Sequence, residues 1–148
     1  MIVIGCGKAK REGRQKAREL YTGSLFVMSR KYAERCAALT GEPWAILSAA
    51  YGLVLPDDEL DSYDQRLELR GAALAEWAER AACRCMKLRR QSNELVECLA
   101  GQRYAWPFRN ALDQLGVMTA LPLAGKGTGH RLQWMSSRLQ CLGWEAAS

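Results

Sequence analysis

The chain has little histidine and no long apolar run. One histidine, His130, occurs among 148 residues. A cysteine–histidine nucleophile pair therefore has a single available histidine, and no spacing rule brings it to any particular cysteine. The six cysteines, Cys6, Cys36, Cys83, Cys85, Cys98 and Cys141, are scattered. Cys83-Arg84-Cys85 is one residue tighter than a metal knuckle and no second knuckle follows, so neither a metal site nor a cofactor is expected. Disulfide frameworks belong to small secreted chains, and reduced, mostly buried thiols are the simpler reading here. No apolar run approaches the ~20 residues of a membrane-spanning helix. Lys8 follows only seven residues of the first apolar segment, too few for a signal peptide. The expectation is a cytoplasmic protein without membrane contact.

What is present reads as one globular domain with an ordinary balance, 49% hydrophobic and 25% charged. The net charge of +5 favours an anionic partner, and arginine outnumbers lysine fifteen to six. Arginine forks suit phosphate, although a GC-rich genome produces the same bias.

Two segments stand out. Residues 1–10 (MIVIGCGKAK) and 44–53 (WAILSAAYGL) are short apolar runs that stop at small residues and then turn polar. Each is too short for a helix and reads as a buried strand, at 2–6 and 44–48. Small residues past a buried strand let a ligand or another backbone approach. In open α/β sheets ligands sit outside the carboxyl ends of the strands, where strand order reverses.

The charged stretch 8–19 reads as a mobile basic loop. Thr22-Gly23-Ser24 offers an N-cap to a helix at 25–39, and Gly41 ends it. A loop spans 49–69, a long helix 71–91, a third strand 94–99, a short helix 107–115 capped by Gly116, and a fourth strand 117–121. A Gly-rich turn at 125–129 opens a last helix to about residue 139. Strands alternating with helices imply a three-layer α/β domain, a mostly parallel sheet of about four strands with helices on both faces.

Several constellations are able to carry chemistry. Lys8, Lys10, Arg11, Arg14, Lys16 and Arg18 offer phosphate contacts beside the first strand end, or simply a solvated loop. Gly5-Cys6-Gly7-Lys8 lacks the spacing of a phosphate-binding loop, so a nucleotidase of that class is not expected. Gly125-x-Gly127-x-Gly129, followed by His130, places amides where a helix start holds an anion, or merely punctuates that start. Cations near Cys6 favour a thiolate, against the plainer role of a small thiol packing the strand end. The segment 49–67 carries Tyr51, Asp57, Asp58, Glu59, Asp61, Tyr63 and Asp64. Most of its carboxylates are expected to be solvated. Tyr63-Asp64 differs: an aromatic able to stack a base stands beside an acid able to orient water or stabilise a cationic sugar.

Read in order, Cys6-x-Lys8-x-Lys10, Glu19-Leu20-Tyr21, Arg30-x-Tyr32-Ala33, Trp44-x-Ile46-Leu47-Ser48-Ala49, Tyr51-Gly52-Leu53 and Tyr63-Asp64 resemble the bacterial and phage domain-of-unknown-function family 6884. Leu99-Ala100-Gly101-x-x-Tyr104 and the stretch ending at Trp134 continue the resemblance over nearly the whole chain. The chain departs from the family pattern at Ala50, where a lysine is usual, at Ser62, where proline often stands, and at Gly7, in place of serine. The family's layout is similar to the uracil-DNA-glycosylase-like α/β fold and to base-handling domains of RNA modification, an analogy of fold only.

The resulting expectation is an enzyme acting at an N-glycosidic bond of modified DNA or of nucleotides, with a role in phage–host conflict. Asp64, Tyr63 and Ser48 are its candidate catalytic residues. Cys6, Lys8, Lys10, Tyr21, Arg30, Tyr51, Gly52, Gly127, Gly129 and His130 are the candidate substrate contacts. The partner is nucleic acid, DNA before RNA, or a nucleotide. The competing classes are a binding module without catalysis, for nucleic acid or a phage or host protein, and an enzyme of free nucleotides.

Overall fold

In a computed structural model of the chain, residues 1–63 and 68–143 are described. The strands are β1 (Ile2–Gly5), β2 (Arg14–Lys16), β3 (Trp44–Ser48), β4 (Gly52–Val54), β5 (Glu59–Asp61), β6 (Val96–Leu99) and β7 (Thr119–Ala120). The helices are α1 (Ala17–Leu20), α2 (Ser24–Thr40), α3 (Gly71–Leu88), α4 (Gln102–Gln114) and α5 (Thr128–Cys141).

The main sheet has five strands in the order β4-β3-β1-β6-β7, not about four. Its β3, β1, β6 and β7 run parallel, and β4 adds antiparallel to β3. The additional strand lies in the segment expected to be loop. Ala49, Ala50 and Tyr51 turn the chain, Gly52 takes φ +72°, and Ser48 pairs with Gly52. A left-handed residue after a three-residue turn is the geometry that closes such a hairpin, and glycine adopts it without steric cost.

Side-chain alternation along the central strands feeds two cores. Val3, Ala45 and Leu47 pack with Trp77, Ala81, Phe108 and Leu112 of α3 and α4. Ile2, Ile4, Trp44 and Ile46 pack with Leu20, Phe26, Tyr32, Met135 and Leu139 of α1, α2 and α5. Successive strand residues face opposite sides. The sheet is therefore covered on both faces, as expected.

The basic stretch 8–19 is not a mobile loop. Lys10 bridges Tyr21 antiparallel, the Arg11 amide donates to the Leu20 carbonyl (2.8 Å) and the Thr22 amide to the Ala9 carbonyl (2.9 Å). Its β2 then pairs antiparallel with β5 as a small second sheet. Ala17 and Leu20 are fully buried, which explains why so charged a segment is ordered.

Other boundaries move. The N-cap of α2 is Gly23, and no side chain caps it. The fourth helix begins at Gln102 and holds Pro107 in its interior. Proline at a first helical turn is the commoner arrangement. Here the helix gives up one main-chain bond at Pro107, while Ala105, Phe108, Ala111 and Leu112 bury its apolar face.

Candidate functional site

The first, third and sixth strands end together, and their ends open a cleft of about 950 Å³. After β1 the chain leaves toward α2 and β3; after β6 it leaves toward α4 and β7 on the far side of β1. Diverging connections from neighbouring strands leave a crevice at their carboxyl ends. Gly5 matters here because a Cβ on it would stand 2.9 Å from Ala100 Cβ. Only glycine lets the end of β1 lie so close to the end of β6.

The walls hold Cys6, Gly7, Lys8, Lys10, Glu12, Tyr63, Glu68, Gly101, Arg103 and Tyr104. Tyr63 packs on the core beneath α1, α2 and α5, whereas Tyr104 packs on that beneath α3 and α4. Two aromatic rings thus reach one cleft from opposite faces of the sheet. Three cations, Lys8, Lys10 and Arg103, share it with the exposed carboxylates Glu12 and Glu68. Arg103 Nη1 lies 3.8 Å from Glu68 Oε1.

A hydroxyl network supports the Tyr63 wall. Tyr21 and Tyr63 hydroxyls bond to each other (2.9 Å), and Ser48 Oγ bonds to both, at 3.0 and 3.4 Å respectively. Ser48 Oγ also accepts the Tyr51 amide (3.2 Å), and its carbonyl accepts Trp77 Nε1–H (3.0 Å). The Lys10 ammonium sits 4.3 Å from the centre of the Tyr63 ring and donates to the Lys8 carbonyl (2.9 Å). Burial pushes the Tyr21 phenol up to about 12 and moves Tyr63 well above the ordinary phenol range. Desolvation of the phenolate is the cause in both. At neutral pH both are hydrogen-bonding phenols and not bases. The Ala49 amide donates to Cys6 Sγ (3.4 Å), which ties the ends of β1 and β3.

Of the residues expected at a site, Cys6, Lys8, Lys10 and Tyr63 come together in the cleft. Tyr21 and Ser48 are buried behind it. Tyr51 and Gly52 belong to the adjoining hairpin, and the Tyr51 hydroxyl donates to the Asp61 carbonyl (3.0 Å). Arg30 lies elsewhere, on α2, where Nη1 donates to the Arg18 carbonyl (2.8 Å) and Nε faces Glu34 at 3.8 Å. Gly127, Gly129 and His130 are exposed at the start of α5 and do not line the cleft. That helix start is nevertheless close by, since Arg131 Nη1 stands 3.9 Å from where a Cβ on Gly101 would project. Asp64 lies outside the described residues.

Glu12, Glu68 and Arg103 were not singled out by sequence reasoning, and Tyr104 entered only through the family pattern, without a site role. The signal that marks the last two is Ala100-Gly101, a small-residue strand end like those after β1 and β3. Of the carboxylates in the 49–67 segment, Glu59 and Asp61 pair with Arg14, Asp57 with Lys16 and Arg18, and Asp58 with Arg84. Among the described residues no group of three or more His, Cys, Asp and Glu side chains is arranged to hold a metal, and no helix is long and apolar enough to cross a membrane.

A family model described as a family of unknown function, DUF6884, matches residues 1–137. The chain belongs to that family. A search of curated proteins found no match. Of the three positions expected to depart from the family pattern, Gly7 and Ser62 line the cleft, and Ala50 lies in the hairpin turn.

Proposed function

We propose that the chain is a nucleobase-handling enzyme acting at the N-glycosidic bond of modified DNA or of a nucleotide. The observation that carries this reading is the meeting, in one cleft, of cations, carboxylates and two tyrosine rings from opposite faces of the sheet. Lys8 and Lys10 suit a phosphate. Tyr63 and Tyr104 suit a planar base, since stacking on an aromatic ring is tolerant of base identity. The uracil-DNA-glycosylase-like layout is an analogy that agrees with this choice and adds no residue to it.

In the reaction, water forms a bond to the sugar C1′ as the C1′–N bond breaks. The departing base takes the electron pair of that bond and gains a proton, and the water loses one. A carboxylate accepts the proton from water and stabilises the cationic sugar as it forms. Asp64 is the candidate for that role through its place beside Tyr63 in the sequence. Glu12 and Glu68 are the described carboxylates on the cleft wall.

The second reading, a binding module without turnover, is favoured by the exposure of both those carboxylates. An exposed carboxylate lacks the desolvation that usually tunes an acid for catalysis.

Incubation with plain and base-modified DNA and with nucleotides, followed by mass spectrometry of released bases, tests the proposal. A released base, abolished in Asp64→Asn with binding retained, is the expected result. Binding without release across the panel contradicts turnover and leaves the module; release undiminished in Asp64→Asn removes Asp64 from the mechanism.

A further inference from the structure

We propose that the cleft takes a free nucleoside monophosphate, one ring system and one phosphate, in preference to a polynucleotide. The proposal rests on the nucleobase reading above and narrows its substrate. A polynucleotide binder needs a continuous cationic track with several phosphate contacts. The basic stretch after β1 offers such a track in sequence, and the fold pairs its second half with carboxylates, leaving Lys8 and Lys10 on the cleft wall and the exposed Arg11 outside its lining. Arg14 faces Glu59 and Asp61 at 3.5 and 3.4 Å. Lys16 faces Asp57 at 4.0 Å, and Arg18 faces Asp57 and Glu34 at 3.1 and 3.4 Å. These pairs neutralise the small antiparallel sheet and the helical turn that follows it.

The cations that remain on the cleft wall are Lys8, Lys10 and Arg103, against Glu12 and Glu68. The described wall thus has a surplus of one positive charge, which suits a single phosphate and not a run of them. Arg103 is already drawn to Glu68 at 3.8 Å, and Lys10 sits over the Tyr63 ring. Lys8 is exposed and makes no ion pair among the described residues, so it is the seat for the phosphate. The volume of about 950 Å³ lies within the range of small-molecule sites.

The test measures affinity of the full chain for nucleosides, their 5′-monophosphates and mixed single-stranded oligonucleotides, at two salt concentrations. The expectation is that a monophosphate binds about tenfold tighter than its nucleoside, the scale of one charge-assisted hydrogen bond. Its affinity falls only about threefold between about 50 and 200 mM salt, as one phosphate contact requires. Oligonucleotides bind no tighter than the monophosphate. Lys8→Gln, checked for native circular dichroism, reduces monophosphate affinity to the nucleoside level and leaves nucleoside affinity in place. Oligonucleotides binding tenfold tighter, with the steep salt slope of several phosphate contacts, overturn the monophosphate proposal and leave the nucleobase reading standing. A phosphate increment that survives in Lys8→Gln overturns the assignment of Lys8. Binding of none of these ligands overturns the nucleobase reading and this proposal with it.

Discussion

Replacing Ser48 by alanine separates a structural hydroxyl from a catalytic one. Ser48 is 0% exposed, so the substitution removes one oxygen from a site that water does not reach directly. The hydroxyl bonds to Tyr21 (3.0 Å) and Tyr63 (3.4 Å) and accepts the Tyr51 amide (3.2 Å). Tyr21 and Tyr63 keep each other as partners at 2.9 Å, so the loss falls mainly on the Tyr51 amide, whose acceptor disappears. Tyr51 is 42% exposed, so water can replace the lost acceptor and the cost is that of an ordinary hydrogen bond, about 0.5–1.5 kcal/mol, to which alanine adds no overpacking. The expected destabilisation is about 1 kcal/mol, which at a urea slope of about 2 kcal/mol/M lowers the midpoint by about 0.5 M. Equilibrium urea unfolding followed by circular dichroism measures it, with tryptophan fluorescence as the second probe of two-state behaviour. A change below about 0.5 kcal/mol would refute the claim that the hydroxyl network holds the Tyr63 wall. Lost turnover at unchanged stability would move Ser48 from support to chemistry.

Phe108→Ala empties a fully buried ring position between α4 and the sheet, and chemical denaturation should show a loss of about 3–5 kcal/mol. A loss under about 1 kcal/mol would mean that the core collapses around the site. Asp58→Ala removes the carboxylate that accepts the Leu55 amide at 2.8 Å and faces Arg84 at 3.3 Å. It should cost about 1 kcal/mol, mostly from the amide, since the half-exposed ion pair contributes little. Raised tyrosine pKa values make stability depend on alkaline pH. The unfolded phenol of Tyr21 ionises near 10 and the folded one near 12, so the native state binds more protons between these values. Its stabilising contribution is complete below pH 10 and is lost as pH rises toward 12. Urea midpoints measured from pH 8 to 11 should be level and then fall, and a midpoint that rises above pH 10 would contradict the burial of these phenols.

The central strands were legible because their residues alternate between two cores. Ile2 and Ile4 face one side and Val3 the other, and both sets had to be apolar. The order of strands and helices followed from the same runs. Where the reading failed, the partners were far away in sequence. Arg14 and Lys16 look like solvated loop residues until Glu59 and Asp61, some 45 residues later, pair with their strand. Ala17 and Leu20 gave too weak a periodic signal to mark a buried turn among so many charges. Pro107 suits a helix start, where its missing amide is harmless; packing of Phe108 and Ala105 carries the helix through it. Of the residues lining the cleft, Cys6, Lys8, Lys10 and Tyr63 are legible from a strand end and a local aromatic–acid pair. Arg103 was missed, and Tyr104 was given no site role, because β6 lies beside β1 only in the folded sheet.

The claim beneath all of this is that the ends of β1, β3 and β6 form the ligand site. Titration of the isotopically labelled protein with a nucleoside monophosphate, followed by amide resonances, tests it most directly. The account predicts saturable shifts confined to the cleft lining, Gly5–Lys10, Glu12, Gly13, Ala49, Ser62, Tyr63, Glu68 and Ala100–Tyr104. Shifts centred on the exposed face of α3, or none at saturating ligand, would contradict it.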